Sequence, residues 1–270
     1  MCSCAASFLA AAVLAAPLWQ TSQRGGDTLE QRFEPPKGFS RVAVAPESLG
    51  AFLRALPLLD GNPDVLLYDG GVKRYQRGHL AVVDIDVGKH DLQQCADAVM
   101  RLLAEYRYAR KLPVCFTATS GDPMPWERYA RGERPSVTGN HLSWSSRAAA
   151  DADHDAFRGY LDTVFTWAGT LSLHRDLGAV ADTGRIEPGD VFIVGGSPGH
   201  AVLVADVAEN AKGEQRFLLV QSYMPAQQIH VLRGYEGPWF SLPEAGRDLP
   251  TPEWTFPSGS RRRYTRDPCR

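Results

Sequence analysis

The chain is poor in several things that would have fixed its class. It has only five cysteines among 270 residues. No CxxC pair or zinc-like spacing joins them, so a zinc ribbon and a thioredoxin-type redox motif are excluded. Charge of one sign is missing as well: 29 Lys and Arg against 31 Asp and Glu leave a net charge of -2. That balance gives no electrostatic basis for nucleic acid. The one basic run, Arg261-Arg262-Arg263, reads as a solvated chain end. Internal repeats and low-complexity tracts are absent, which excludes solenoids and linker-like chains. The apolar run from Phe8 to Trp19 is shorter than the ~20 residues that span a bilayer. It suits the h-region of a secretory signal instead, although the usual basic n-region is missing. We therefore expect a signal peptide over residues 1–22 and an exported protein, periplasmic or secreted, with no membrane span once the signal is removed. Cys2 and Cys4 precede that run, and Cys95, Cys115 and Cys269 remain. An odd count leaves at least one free thiol.

The rest has ordinary globular composition, 44% apolar and 22% charged, and no break that divides it, so 23–270 is expected to be a single domain. Ser48 is placed to cap a short helix with Leu49, Phe52, Leu53 and Leu56 on one stripe. Pro63–Tyr68 and His79–Val87 read as strands. In the second, Asp84 and Asp86 share a face; with His79 or His90 they form the one metal reading the sequence offers. Asp91 to Arg110 carries the strongest helical periodicity, with Asp91 as cap and Gln94 three residues on. Cys95 falls in its first turn. Pro113–Thr119 is a strand in which Cys115 reads as inert core. Residues 120–153 are polar and irregular, with aromatics at Trp126, Tyr129 and Trp144, and suggest a functional insertion or lid. A second helical region covers Ala156–Leu177. Strands follow at Val191–Val194, Ala201–Val207, Arg216–Tyr223 and Ile229–Leu232.

Three of these elements carry chemistry together. A thiol in the first turn of a helix meets the positive end of the helix dipole and free N–H groups, which favour a thiolate and an oxyanion. A cysteine nucleophile then needs an imidazole base, held by a hydrogen-bonding partner. His200 follows the flexible Gly195-Gly196-Ser197-Pro198-Gly199 loop and opens a strand; Gln221 lies on the next one. With the hairpin turn between Ala211 and Lys212, Val202 faces Gln221, and His200 and Gln221 become same-face diagonal neighbours, within reach at ~7–8 Å. A slip of one residue puts Ser222 there instead.

A cysteine opening a helix, a Gly-Asp turn and strand, a histidine opening the following strand and a polar residue on the next resembles the NlpC-type cell-wall peptidases. The resemblance implies an α+β, papain-like antiparallel sheet with an N-terminal nucleophile-bearing helix packed on it. It implies Cys95 as nucleophile, His200 as base and Gln221 as orienting residue, and no metal or cofactor. The chain departs from the usual Asp-Cys-Ser-Gly at the nucleophile, having Gln94-Cys95-Ala96-Asp97. Over about residues 33–258 it is more similar to a bacterial family, domain-of-unknown-function family 4846. The segments Asp91–Leu102, Gly195–Val202, Val220–Gln227 and Thr251–Phe256 carry that similarity.

The expectation is thus an exported cysteine hydrolase, an amidase or peptidase acting on cell-envelope amide or acyl bonds, with a peptidoglycan-derived or other envelope substrate. Tyr223, Ser197 and Asp97 are assigned to substrate binding. The alternative is a papain-like scaffold that binds envelope components without turnover.

Overall fold

In a computed structural model, residues 27–182 and 184–269 are described; the expected signal segment, residues 1–22, lies outside them. The chain opens with α1 (Leu29–Arg32), β1 (Phe39–Arg41), α2 (Leu49–Arg54) and β2 (His79–Val82). The long helix α3 (Cys95–Ala109) follows, then β3 (Cys115–Thr117), β4 (Pro123–Pro125), α4 (Trp126–Ala130) and the hairpin β5 (Glu133–Thr138) and β6 (His141–Ser146). Helices α5 (His154–Trp167) and α6 (Thr170–Asp176) lead to β7 (Gly178–Ala179), β8 (Asp190–Val194), β9 (His200–Asn210) and β10 (Gln215–Gln221). The chain ends through β11 (His230–Leu232), β12 (Trp239–Ser241), β13 (Leu249–Pro250), β14 (Thr255–Phe256) and β15 (Arg261–Arg263).

The architecture is α+β, built on one large antiparallel sheet. Its order is β2-β11-β10-β9-β8-β15-β7, with β1 also paired to β9 and β12 to β10. Period-two alternation divides the strands between two cores. Ala201, Leu203 and Ala205 of β9, with Leu218 and Val220 of β10, face the helices, where Ala98, Val99, Leu102 and Leu103 of α3 cover them and Phe157, Leu161 and Val164 of α5 join the same core. Val202, Val204, Phe217 and Leu219 face the other way, against Phe240, Leu249 and Phe256. Between β9 and β10 the alternation breaks once. Leu218 pairs with Asp206 but Leu219 pairs with Val204, which leaves Ala205 as the extra residue of a bulge in β9.

Among the described residues no helix is long and apolar enough to cross a membrane. Several expectations are corrected. Pro63–Tyr68 makes only isolated bridges, from Leu66 to Val72 and from Leu67 to Gln227. The 120–153 segment is structured, and Trp126 packs on Phe157 and Tyr160 of α5. The second helical region is two helices, because Gly169 is extended and caps α6. Arg261–Arg263 is no solvated end: it pairs with β8 inside the sheet, where Arg263 binds the buried carboxylate of Asp190. Cys115 is not a free core thiol but forms a disulfide with Cys269, 154 residues away. The charge of the arginine run and the reach of the terminal cysteine both depend on partners distant in sequence, which local pattern does not show.

Candidate active site

The site forms where α3 begins, β9 begins and β10 ends. Helix α3 starts later than its periodicity suggests. Gln94, not Asp91, is the N-cap, and its N–H donates to the Asp97 carboxylate at 3.0 Å. The Asp91 carboxylate is engaged elsewhere, accepting from Ala226 N–H at 2.6 Å and from the Gln94 amide at 2.9 Å. That contact ties the loop after β10 to the turn before the helix. It places Cys95 at the first helical position, where backbone N–H groups have no intrahelical acceptor. The N–H groups of Ala96 and Ala201 point at its sulfur, so the thiol sits against the first residues of β9.

Among the described residues Cys95 is the free cysteine, and it is buried. Burial, and next the neighbouring Asp97 carboxylate, push its thiol up to about 11. Asp97 is itself driven well above the usual carboxylate range by burial.

His200 and Gln221 lie on the sheet face opposite α3. His200 packs against the tilted rings of Tyr223 at 4.7 Å and Trp254 at 5.4 Å and stacks on Phe256 at 5.7 Å between ring centroids. Cys95 reaches this face only because helix tip and strand start coincide at the end of the sheet. His200 Nε2 is 2.9 Å from Gln221 Oε1. Burial, with a smaller contribution from the Lys73 charge, lowers the imidazole to about 4 against the raising effect of that hydrogen bond. The expected register holds here: Leu203 pairs with Val220 and Val204 with Leu219.

Cys95 and His200 line one cavity of about 430 Å³. Tyr223, Ser197 and Asp97, the expected substrate-binding residues, line it too, with Leu92, Phe165, Thr170 and Trp254 among the others. Gln221 stands behind His200 rather than on the wall. No hydrogen bond joins the Cys95 sulfur to the imidazole among the described residues. Such contacts are often long in unliganded sites and tighten on binding. The loop before His200 is held by Thr170, whose hydroxyl donates to Gly196 O at 2.9 Å. Gly196 adopts φ +118°, and a Cβ on Gly199 would lie 2.4 Å from Gly196 O. Only glycine fits those two positions.

The metal reading does not assemble. Asp86 is taken by Arg101 and Arg158, and His79 Nε2 by Pro63 O at 3.0 Å. Among the described residues the group of metal-type side chains close enough to share an ion is Cys115, Asp267 and Cys269, two of which are disulfide-bonded.

Three side chains at the site escaped the sequence reading. The Glu253 carboxylate accepts from the Gln221 amide nitrogen at 2.8 Å and from Lys73 Nζ at 2.7 and 2.6 Å. His230 Nε2 lies 3.2 Å from the same amide nitrogen. Lys73 and Glu253 come from loops 180 residues apart. The one available signal was a charged residue directly before the aromatic Trp254–Phe256 stretch.

Residues 29–263 match the model of a family described as "Domain of unknown function (4846)". No curated protein and no solved structure matches the chain. Since the match spans most of the 270 residues, the chain belongs to domain-of-unknown-function family 4846.

Proposed function

We propose that the protein is an exported cysteine hydrolase of papain-like, NlpC-type architecture, cleaving amide or acyl bonds of cell-envelope material. One observation carries the reading: a free thiol at the first residue of a long helix shares a cavity with a histidine whose ring is held by a buried amide. Near neutral pH the thiol is protonated and the imidazole neutral, so the nucleophile is generated during attack. The Cys95 proton passes to His200 as the sulfur bonds to the carbonyl carbon, and N–H groups at the helix start face the developing oxyanion. Collapse breaks the bond to nitrogen or oxygen while His200 returns the proton to the leaving group. Water then hydrolyses the acyl-enzyme. Tyr223 and Trp254 form aromatic walls suited to a peptide or sugar. The Cys115–Cys269 disulfide supports an oxidising compartment, as an exported protein requires.

The test is incubation of the full chain with purified peptidoglycan, reading newly released amines. Release by the wild type above the Cys95→Ala background, with an acyl adduct on Cys95 by mass spectrometry, is expected. Equal release by both proteins removes the hydrolase reading. The high thiol pKa and the missing sulfur–imidazole bond favour a second reading, a scaffold that binds envelope components without turnover. It is distinguished by Cys95→Ala retaining full affinity for peptidoglycan in a pull-down.

A further inference from the structure

A primary amide can turn either its oxygen or its NH2 group toward an imidazole, and the two choices demand opposite tautomers. At Gln221 the choice is made one layer behind the site. A carboxylate only accepts, so the Gln221 atom 2.8 Å from Glu253 is the NH2 nitrogen. The oxygen therefore faces His200 Nε2 at 2.9 Å, and that ring nitrogen carries the proton. His230 confirms the orientation independently. Its Nδ1 lies 2.9 Å from Gln228 O, so Nδ1 is the donor. Its Nε2 lone pair then accepts the second amide hydrogen of Gln221 at 3.2 Å. Rotating the amide would lose both hydrogen bonds in a place where Gln221 and His230 are each 1% exposed. A buried polar group left without its partner there is destabilising. Glu253 is fixed by Lys73, which contacts both carboxylate oxygens and is 6% exposed.

We propose that Glu253, clamped by Lys73 and assisted by His230, is a positioning residue. It locks the Gln221 amide and so fixes His200 as the Nε2–H tautomer, leaving Nδ1 as the free base. Nδ1 has no hydrogen-bond partner among the described residues, and the ring lines the cavity that holds Cys95. The tautomer assignment stands on hydrogen-bond geometry alone; its use in drawing a proton from Cys95 rests on the hydrolase reading. It also explains a buried ion pair at this point in the fold. Such pairs add little net stability over an apolar replacement, whereas this one sets a direction.

The test is a long-range proton–nitrogen NMR correlation on protein labelled with 15N-histidine, with His200 assigned by its loss in His200→Ala. The wild type is expected to show a protonated Nε2 and an unprotonated Nδ1. Glu253→Gln keeps the shape but offers either face of an amide, and the Nδ1–H form is expected to appear. Glu253→Asp, which keeps a carboxylate, restores the wild-type pattern. Should Glu253→Gln fail to fold, Lys73→Met, which leaves the carboxylate unheld, is expected to show the same mixture. A wild-type His200 protonated on Nδ1, or an unchanged tautomer in both variants, overturns the proposal. Alkylation of Cys95 by iodoacetamide at neutral pH should slow about tenfold in Glu253→Gln, a part of the ~10²–10⁴ that a general base supplies. A tautomer change without any change in alkylation leaves the positioning role standing and removes the base role of His200.

Discussion

The most direct prediction concerns the pH dependence of Cys95 alkylation. Burial, and then Asp97, disfavour the thiolate and raise the thiol to about 11, so the reactive share grows as pH rises toward that value. At pH 7 a thiol titrating there is ionised to about one part in 10⁴, against about 3% for an ordinary thiol near 8.5. The more basic thiolate is the better nucleophile, and a Brønsted coefficient of ~0.4–0.5 returns roughly tenfold of that deficit. Without the imidazole, as in His200→Ala, Cys95 should therefore react with iodoacetamide about 20-fold or more slowly than an exposed cysteine at pH 7, with a rate rising about tenfold per pH unit up to about pH 10. His200, titrating at about 4, stays neutral and able to accept a proton across this range and loses that ability below it. His200→Ala should slow labelling near pH 7 about tenfold and leave it unchanged above pH 11, where the thiolate is already formed. The assay is mass-spectrometric quantification of the Cys95 peptide over time from pH 4 to 11. A flat profile between pH 5 and 8 in His200→Ala would mean a thiolate preformed without the imidazole and refute the raised-thiol reasoning. Identical profiles for wild type and His200→Ala would refute the base.

Further outcomes follow from the same geometry. Thiol titration of denatured chain beginning at residue 27 should find one free thiol before reduction and three after, since Cys115 and Cys269 are paired and Cys95 is not; three before reduction would contradict the pairing. Asp206 is 0% exposed and binds Arg41 at 2.8 Å and Arg54 at 2.6 Å. Asp206→Asn should cost about 3–5 kcal/mol, a fall in Tm of about 6–20 °C for a chain this size, and a shift under about 2 °C would refute it. Gly199→Ala places a methyl 2.4 Å from Gly196 O and 2.5 Å from Thr170 Oγ1. It should displace the loop, lower stability by more than about 1 kcal/mol in denaturant unfolding and alter the Cys95 alkylation rate.

What could be read from the sequence was local. The Ser48 cap, the stripe of α3 and the strands around His200 all rest on patterns confined to a few residues, and the structure contains them. Asp91 was misplaced as the cap because its side chain serves a loop 135 residues away. The buried Lys73–Glu253 pair, the Arg263–Asp190 pair and the disulfide are likewise long-range, and each links residue types that read as surface or core when taken alone. Burial of a charge becomes legible only when its partner is known. At the site the cysteine, the imidazole and the amide could be named as residue types, but the groups that orient the amide could not.

The hairpin shows how a correct contact can come from an incomplete premise. Strict alternation from a turn between Ala211 and Lys212 places Val202 opposite Gln221. The observed turn end is shifted by one, with Gln215 opposite Glu209 and Leu218 opposite Asp206. Continued without interruption, that register would set Gln221 opposite Leu203, with the amide still on the face of Phe217 and Leu219. The part of β9 before Ala205 would be turned over instead, so His200 would point to the face packed against α3 and lose its partner. The extra residue at Ala205 shifts the ladder back by one, so that Gln221 emerges beside His200 and within reach of Glu253 and His230. The trace of that bulge lies in β9 itself: Val202 and Val204 share a core with Val207, although strict alternation would put Val207 on the opposite face. In β10, Phe217 and Leu219 keep the regular period. A parity break confined to one strand of a hairpin is the mark of a bulge on that strand. Here the bulge brings the imidazole and its orienting amide to the same side of the sheet.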